Sequence, residues 1–163
     1  MGAPRAGFGL RLVGYVVDVV FYGLLLALVG GGGLAIMAAA ARDCLSRAND
    51  SGTGSVTCRS SEVNLPLLFL GILVIALGIM GVLLIYCRSL GRTGQTFGRG
   101  IVGVRVVDAT DRTPIGFPRA LGRTLFANVI SAALCDLGYL WMLWDEDQQT
   151  WHDKVARTIV LRD

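Results

Sequence analysis

Two ionisable side chains stand where a membrane-crossing helix would have to hide them. Arg11 and Asp18 are seven residues apart, so on one helix they differ by about 20° in direction and ~10 Å in height. They share a stripe with Gly14, Tyr15 and Tyr22. An aspartate inside a span costs roughly 2.5–3.5 kcal/mol on an insertion scale. Asp18 therefore faces protein or water and calls for a partner. A long guanidinium reaching inward from Arg11 is one source, and a basic group from a later connection is another. Two roles fit Asp18: a proton or cation exchange site, or a buried anchor tying the helix to its neighbours. Asp136, in a later apolar stretch, is the second candidate.

Other chemistry has less to stand on. His152 is the single histidine, with Asp153 beside it. No Cys or Glu lies at ligand spacing from it, so no metal site is expected. A Ser-His-Asp relay is not expected either, because nothing positions a serine. Gly98-Arg99-Gly100-Ile101-Val102-Gly103 fits a dinucleotide fingerprint, but that fingerprint follows a strand and opens a helix. Here it precedes a β-branched run and reads as turn chemistry. Neither enzymatic activity nor a cofactor is expected. Cys44 and Cys58 are either free thiols or, in an oxidising compartment, a disulfide. Closing about 15 residues would contribute up to ~3 kcal/mol.

The elements that must position these residues are apolar and long. Hydrophobic residues make up 53% of the chain and charged residues 17%, against about 25% charged in an ordinary globular domain. A run of about 20 apolar residues crosses a hydrocarbon core, and three runs qualify: Leu12 to Ala41, Leu65 to Cys87 and Thr124 to Trp144. The fold class expected is an all-α membrane protein of two to three transmembrane helices with a short cytoplasmic β element. One domain, 1–163, then holds helix 1 at about 12–32, an outside loop at 42–64 and helix 2 at 65–87. A cytoplasmic connection follows at 88–123, then a third or re-entrant broken helix at 124–144 and a tail at 145–163.

Gly30 to Gly33 should break or fray the first helix, and Gly71, Gly78 and Gly81 should allow close helix approach in the second. A Gly23/Ala27 pair on the first helix has the same small-residue spacing. Gly138 interrupts the third run, and Tyr139, Trp141 and Trp144 resemble an interfacial belt. Ile101–Val107 and Thr158–Leu161 read as short strands. They could pair only on one side of the membrane, which favours a third run that returns.

Fourteen arginines accompany one lysine. Seven of them fall in 88–123, opposed by Asp108 and Asp111. This places the amino terminus and that connection in the cytoplasm. Arginines crowding the flanks of apolar runs set topology and give no reason to expect nucleic acid. The first run is also too long, and holds Asp18 too deep, for a cleaved signal peptide.

Three blocks together resemble the RDD family of membrane proteins, named for an arginine and two aspartates. The first is Gly9-Leu10-Arg11-Leu12 leading to Asp18. The second runs from Gly94-Gln95-Thr96-Phe97-Gly98-Arg99 to Asp108, where the family usually has Pro and Lys in place of Phe97 and Arg99. The third runs from Gly138-Tyr139-Leu140-Trp141 through His152-Asp153-Lys154 to Thr158, with Arg157 where Gly is common. The resemblance spans about residues 9–163. It points to Asp136 as the second aspartate beside Asp18, with Asp153 in the closing block as the alternative. It implies a bacterial, actinobacterial-like, multi-pass protein of the inner (plasma) membrane. It also implies a transport role, including cation–proton exchange, as suggested for the family. The expectation is an oligomeric transport component handling protons or cations. Its rival is a non-transporting scaffold or accessory subunit whose arginine-rich face binds a partner or anionic lipid. Besides the lipid bilayer, the partners expected are further copies of the chain or a second membrane protein.

Overall fold

The computed structural model describes residues 4–44, 46, 63–131, 133–134 and 137–163. Asp136 and Cys58, and with Cys58 the expected disulfide, lie outside the described residues. Two long helices dominate: α1, Phe8–Ala40, and α2, Leu65–Thr93. Both are long and apolar enough to cross a membrane. Their large apolar side chains point outward, with Leu28 at 75%, Phe69 at 64% and Leu77 at 62% exposure. Water would penalise such a surface heavily, and hydrocarbon does not. The result is a mostly helical membrane protein with a short β element.

The described residues form two compact units. In the unit Gly23–Val82, glycines set the helix contact. A Cβ on Gly71 would lie 2.8 Å from the Gly33 carbonyl oxygen and 2.5 Å from Met37 Cγ. One on Gly78 would meet Val29 Cγ1 at 2.2 Å. Gly81 and Gly23 meet nothing. The four-glycine run does not break α1, which continues through it. Gly30 to Gly32 face open space. In an apolar medium a helical glycine keeps its backbone hydrogen bonds, because no water competes for them.

The other unit, Met1–Tyr22 with Leu83–Asp163, carries the polar chemistry. After α2 come the short helix α3 (Phe97–Ile101), β1 (Val104–Asp108), α4 (Phe117–Phe126), α5 (Leu137–Leu140), α6 (Trp151–Ala156) and β2 (Thr158–Arg162). β1 and β2 pair antiparallel, Val106 opposite Val160. The strand that follows α2 therefore sits beside the tail. Residues 4–6 extend this ribbon: Ala6 N–H donates to Val160 O and Arg162 N–H to Pro4 O, both at 2.9 Å. Leu90, Val104, Val106, Ile115, Ala120 and Val160 form its core with Ala6. The third apolar run is not one long helix among the described residues. It passes from α4 into a wide π-type turn at Ala127–Ser131, and later into α5 and a 3-10 turn at Trp141–Leu143. Trp141 and Trp144 are exposed at its end.

α6 ends on Arg157 in the left-handed conformation, φ 52° and ψ 52°. A side chain there costs roughly 1–2 kcal/mol, and glycine avoids that cost.

Two predictions follow from these backbones, both read as unfolding free energy in detergent. Gly71→Ala should lower stability by about 1–3 kcal/mol through overpacking, whereas Gly31→Ala should raise it by about 0.5–1 kcal/mol; equal effects would refute the assigned contact. Arg157→Gly should stabilise by about 0.5–1 kcal/mol, and a loss would show that the side chain itself holds the turn.

Candidate functional site

Four elements bring charge together in the polar unit. Asp153 lies in the first turn of α6, where Thr150 caps the helix. Thr150 Oγ1 accepts from Asp153 N–H, and Asp153 Oδ2 accepts from Thr150 N–H, both at 3.3 Å. This reciprocal cap fixes the carboxylate before any charge approaches it. Arg123, on α4, donates Nε and Nη2 to Asp153 Oδ1 at 3.0 and 2.6 Å. Arg11, at the start of α1, donates Nη1 to Asp153 Oδ2 at 3.0 Å. Its Nε is held by the Ala6 carbonyl at 2.9 Å. Thr158 Oγ1 adds a bond to Asp153 Oδ1 at 3.1 Å. The Asp153 side chain is 1% exposed, against 5% for Arg123 and 13% for Arg11. This is a buried charge triad.

Arg119, four residues before Arg123 and so on the same face of α4, reinforces it. It donates to the Ala156 and Arg157 carbonyls that end α6 and pairs with Asp108. The Asp108 carboxyl is held down at about 2, first by the Thr110 N–H and then by Arg119.

Asp18 is elsewhere on α1 and 4% exposed. Thr96 donates its hydroxyl to Asp18 Oδ2, and the Gly98 N–H donates to Oδ1 at 2.7 Å. A Cβ on Gly98 would sit 2.3 Å from the Gly14 carbonyl oxygen, so the α3 backbone reaches the carboxylate only because position 98 has no side chain. Asp18 thus meets two neutral donors rather than Arg11. Side chains on a helix lean toward its amino terminus. Arg11, a full ~10 Å nearer that end, therefore leans away from Asp18 and finds Asp153.

A cavity of about 240 Å³ opens beside the triad. Arg11, Arg123 and Asp153 line it, as do Arg99 from α3 and His152 from α6. Phe8, Leu12, Tyr15 and Leu140 supply an apolar part. Arg99 Nη1 and His152 Nδ1 are buried without a hydrogen-bond partner among the described residues. His152 is 4% exposed, its ring edge-on to Tyr139 at 4.8 Å. Burial, then repulsion from Arg123, pushes its pKa down to about 3. Burial alone would raise the Asp153 carboxyl; Arg123, His152 and Arg11 outweigh it and hold the group well below the ordinary carboxylate range. Arg123 had counted in the sequence only as a topology charge, and Arg99 as that and as part of the second family block. The Arg119/Arg123 spacing and the Thr150-x-x-Asp153 cap were the signals that could have found this cluster. No metal-binding group of His, Cys, Asp and Glu occurs among the described residues.

Residues 5–157 match the RDD family. The chain is similar to the proline-rich antigen of Mycobacterium leprae, 35% identical over 71 residues, covering 44% of this chain and 28% of that protein. It is also similar to the proline-rich antigen homolog of two Mycobacterium tuberculosis strains, 38% identical over 69 residues, covering 42% of this chain and 28% of theirs. The chain thus matches little more than a quarter of the length of these relatives. No solved structure matches it significantly.

The His152 environment predicts a pH response. The unfolded chain binds a proton near pH 6.5 that the folded chain refuses down to about pH 3. Stability therefore falls as pH drops through that window, by about 2 kcal/mol between pH 7 and 5. The Asp153 contribution is present above the unfolded carboxylate range and is lost only at lower pH. His152→Gln should flatten the slope between pH 7 and 5 in thermal unfolding, and an unchanged slope would exclude His152 as its source.

Proposed function

The chain belongs to the RDD family of membrane proteins, and from that premise we propose that it is a non-transporting, non-catalytic membrane module whose arginine-rich polar unit engages an anionic partner. The observation that carries this reading is the charge inventory of the cavity. Among its described lining residues, Arg11, Arg99 and Arg123 face a single carboxylate, Asp153, with His152 neutral. A cation would be repelled there, and an anion attracted. We read Arg11, Asp18 and Asp153 as the three residues for which the family is named. On this reading Arg11 and Asp153 pair to build the polar unit, while Asp18 anchors α3 to α1. The arginine excess in 88–123 supports a cytoplasmic polar unit in a bacterial inner membrane, with the module acting as an oligomer or as a subunit of a partner.

A second reading keeps proton or cation exchange at Asp18. What favours it is a buried carboxylate on an apolar helix, bonded by neutral donors alone among the described residues.

One measurement separates the two. The purified chain is reconstituted into vesicles carrying a pH- or sodium-sensitive dye, and a gradient is imposed. Flux no faster than through empty vesicles is the expected result. Flux that Asp18→Asn abolishes, at equal protein abundance, would overturn the first reading and establish the second.

A further inference from the structure

The cavity of the polar unit has a polar wall and an apolar wall, and the two differ in what they leave unsatisfied. On the polar wall Asp153 engages Nε and Nη2 of Arg123 and Nη1 of Arg11. Each guanidinium thus has a further amino group that does not bond Asp153. Among the described residues Arg99 Nη1 is buried with no hydrogen-bond partner, and so is His152 Nδ1, on a residue 4% exposed. A buried donor left unpaired costs about 1–3 kcal/mol, and more when charged. Such a group in a native structure calls for a ligand or water to answer it. Guanidinium groups bind phosphate and carboxylate oxygens through short, charge-assisted hydrogen bonds. The apolar wall is built from Phe8, Leu12, Tyr15 and Leu140. Leu12 and Tyr15 line the cavity yet remain 47% and 46% exposed, on a helix apolar enough to cross a membrane. The cavity mouth therefore opens among side chains of a helix that faces hydrocarbon. A free hydrated anion gains nothing from that wall, whereas a molecule with an oxyanion at one end and an alkyl chain at the other matches both.

We propose that this cavity seats the oxyanion head of an anionic lipid, with Arg99 as its principal contact and the acyl chain leaving past Leu12 and Tyr15. The proposal rests on the anion-engaging reading above and adds the class of ligand and its seat. Arg11 and Arg123 act as positioning residues, since Asp153 already holds them. His152, neutral and facing the same space, completes the head-group contacts as a hydrogen-bonding group rather than a second charge.

The test uses the full chain, purified in a zwitterionic detergent and examined by native mass spectrometry. Three probes are used: dioleoylphosphatidylglycerol, dioleoylphosphatidylcholine and inorganic phosphate. The expected result is one phosphatidylglycerol retained at least ten-fold more tightly than phosphatidylcholine, with Arg99→Gln erasing that preference and Arg99→Lys keeping part of it. Thermal unfolding without lipid reports whether Arg99→Gln still folds. Leu12→Glu, at an exposed position on the mouth, should weaken retention by charge repulsion even if the Arg99 variant does not fold. Inorganic phosphate displacing the lipid at equal concentration would overturn the amphiphile in favour of a free anion. A preference that survives both Arg99→Gln and Leu12→Glu, but is lost in Arg88→Gln/Arg92→Gln at two exposed positions, would overturn the cavity while leaving the broader anion reading standing. No preference for the anionic lipid in any form would sink both.

Discussion

The polar unit hangs on the contact of Asp153 with Arg11 and Arg123. Its three members come from the start of α1, the middle of α4 and the first turn of α6, segments far apart in sequence. Desolvating these groups is costly, and attraction repays that cost only when the remaining lone pairs are also satisfied. Here both carboxylate oxygens are: Oδ1 takes Arg123 and Thr158, and Oδ2 takes Arg11 and the Thr150 N–H. Removing Asp153 would leave both guanidinium groups without their shared carboxylate, and breaking a buried pair in this way costs about 3–5 kcal/mol. The triad thereby ties α1, α4 and α6 to one another through a single carboxylate.

Asp18 solves the same problem with opposite means. It takes a hydroxyl from Thr96 and a backbone N–H from Gly98. Thr96 opens α3 yet makes no side-chain cap bond to it; its hydroxyl is committed to the carboxylate. Gly14 and Gly98 remove the side chains that would hold the two backbones apart, since a Cβ on Gly14 would come within 3.1 Å of Val102 Cγ2. Of the G-x-G-x-x-G pattern it is Gly98 that permits the close approach, and what it approaches is an aspartate, while Gly100 and Gly103 meet nothing.

What the sequence disclosed follows from how local each signal is. The two spans, the paired strands and the need of Asp18 for a partner are set by composition, alternation and a single costly charge, all readable within about twenty residues. The glycine run was misjudged because the same residue weakens a helix in water and is tolerated in hydrocarbon. The triad was invisible for a different reason. Its geometry depends on how α4 meets α6, which no periodicity encodes, so Arg123 looked like one basic flank residue among seven. Even so, Arg119 and Arg123 at helical spacing, and a Thr150-x-x-Asp153 cap, marked two faces that needed each other.

The arginine bias itself has a structural cause beyond topology. A positive flank could be built from lysine, whose ammonium is a compact, strongly hydrated point charge. Yet Arg119 spans two carbonyls and a carboxylate at once, and Arg123 grips one oxygen through two nitrogens. Arg11 bridges a carbonyl and a carboxylate, and Arg105 reaches Asp163 across the ribbon edge. Each needs several donors held in one plane, and a weakly hydrated cation that tolerates partial burial. A lysine at these positions would satisfy the charge rule and lose the bridges. Four of the fourteen arginines, Arg11, Arg105, Arg119 and Arg123, are thus committed to joints that a guanidinium fork makes and an ammonium does not.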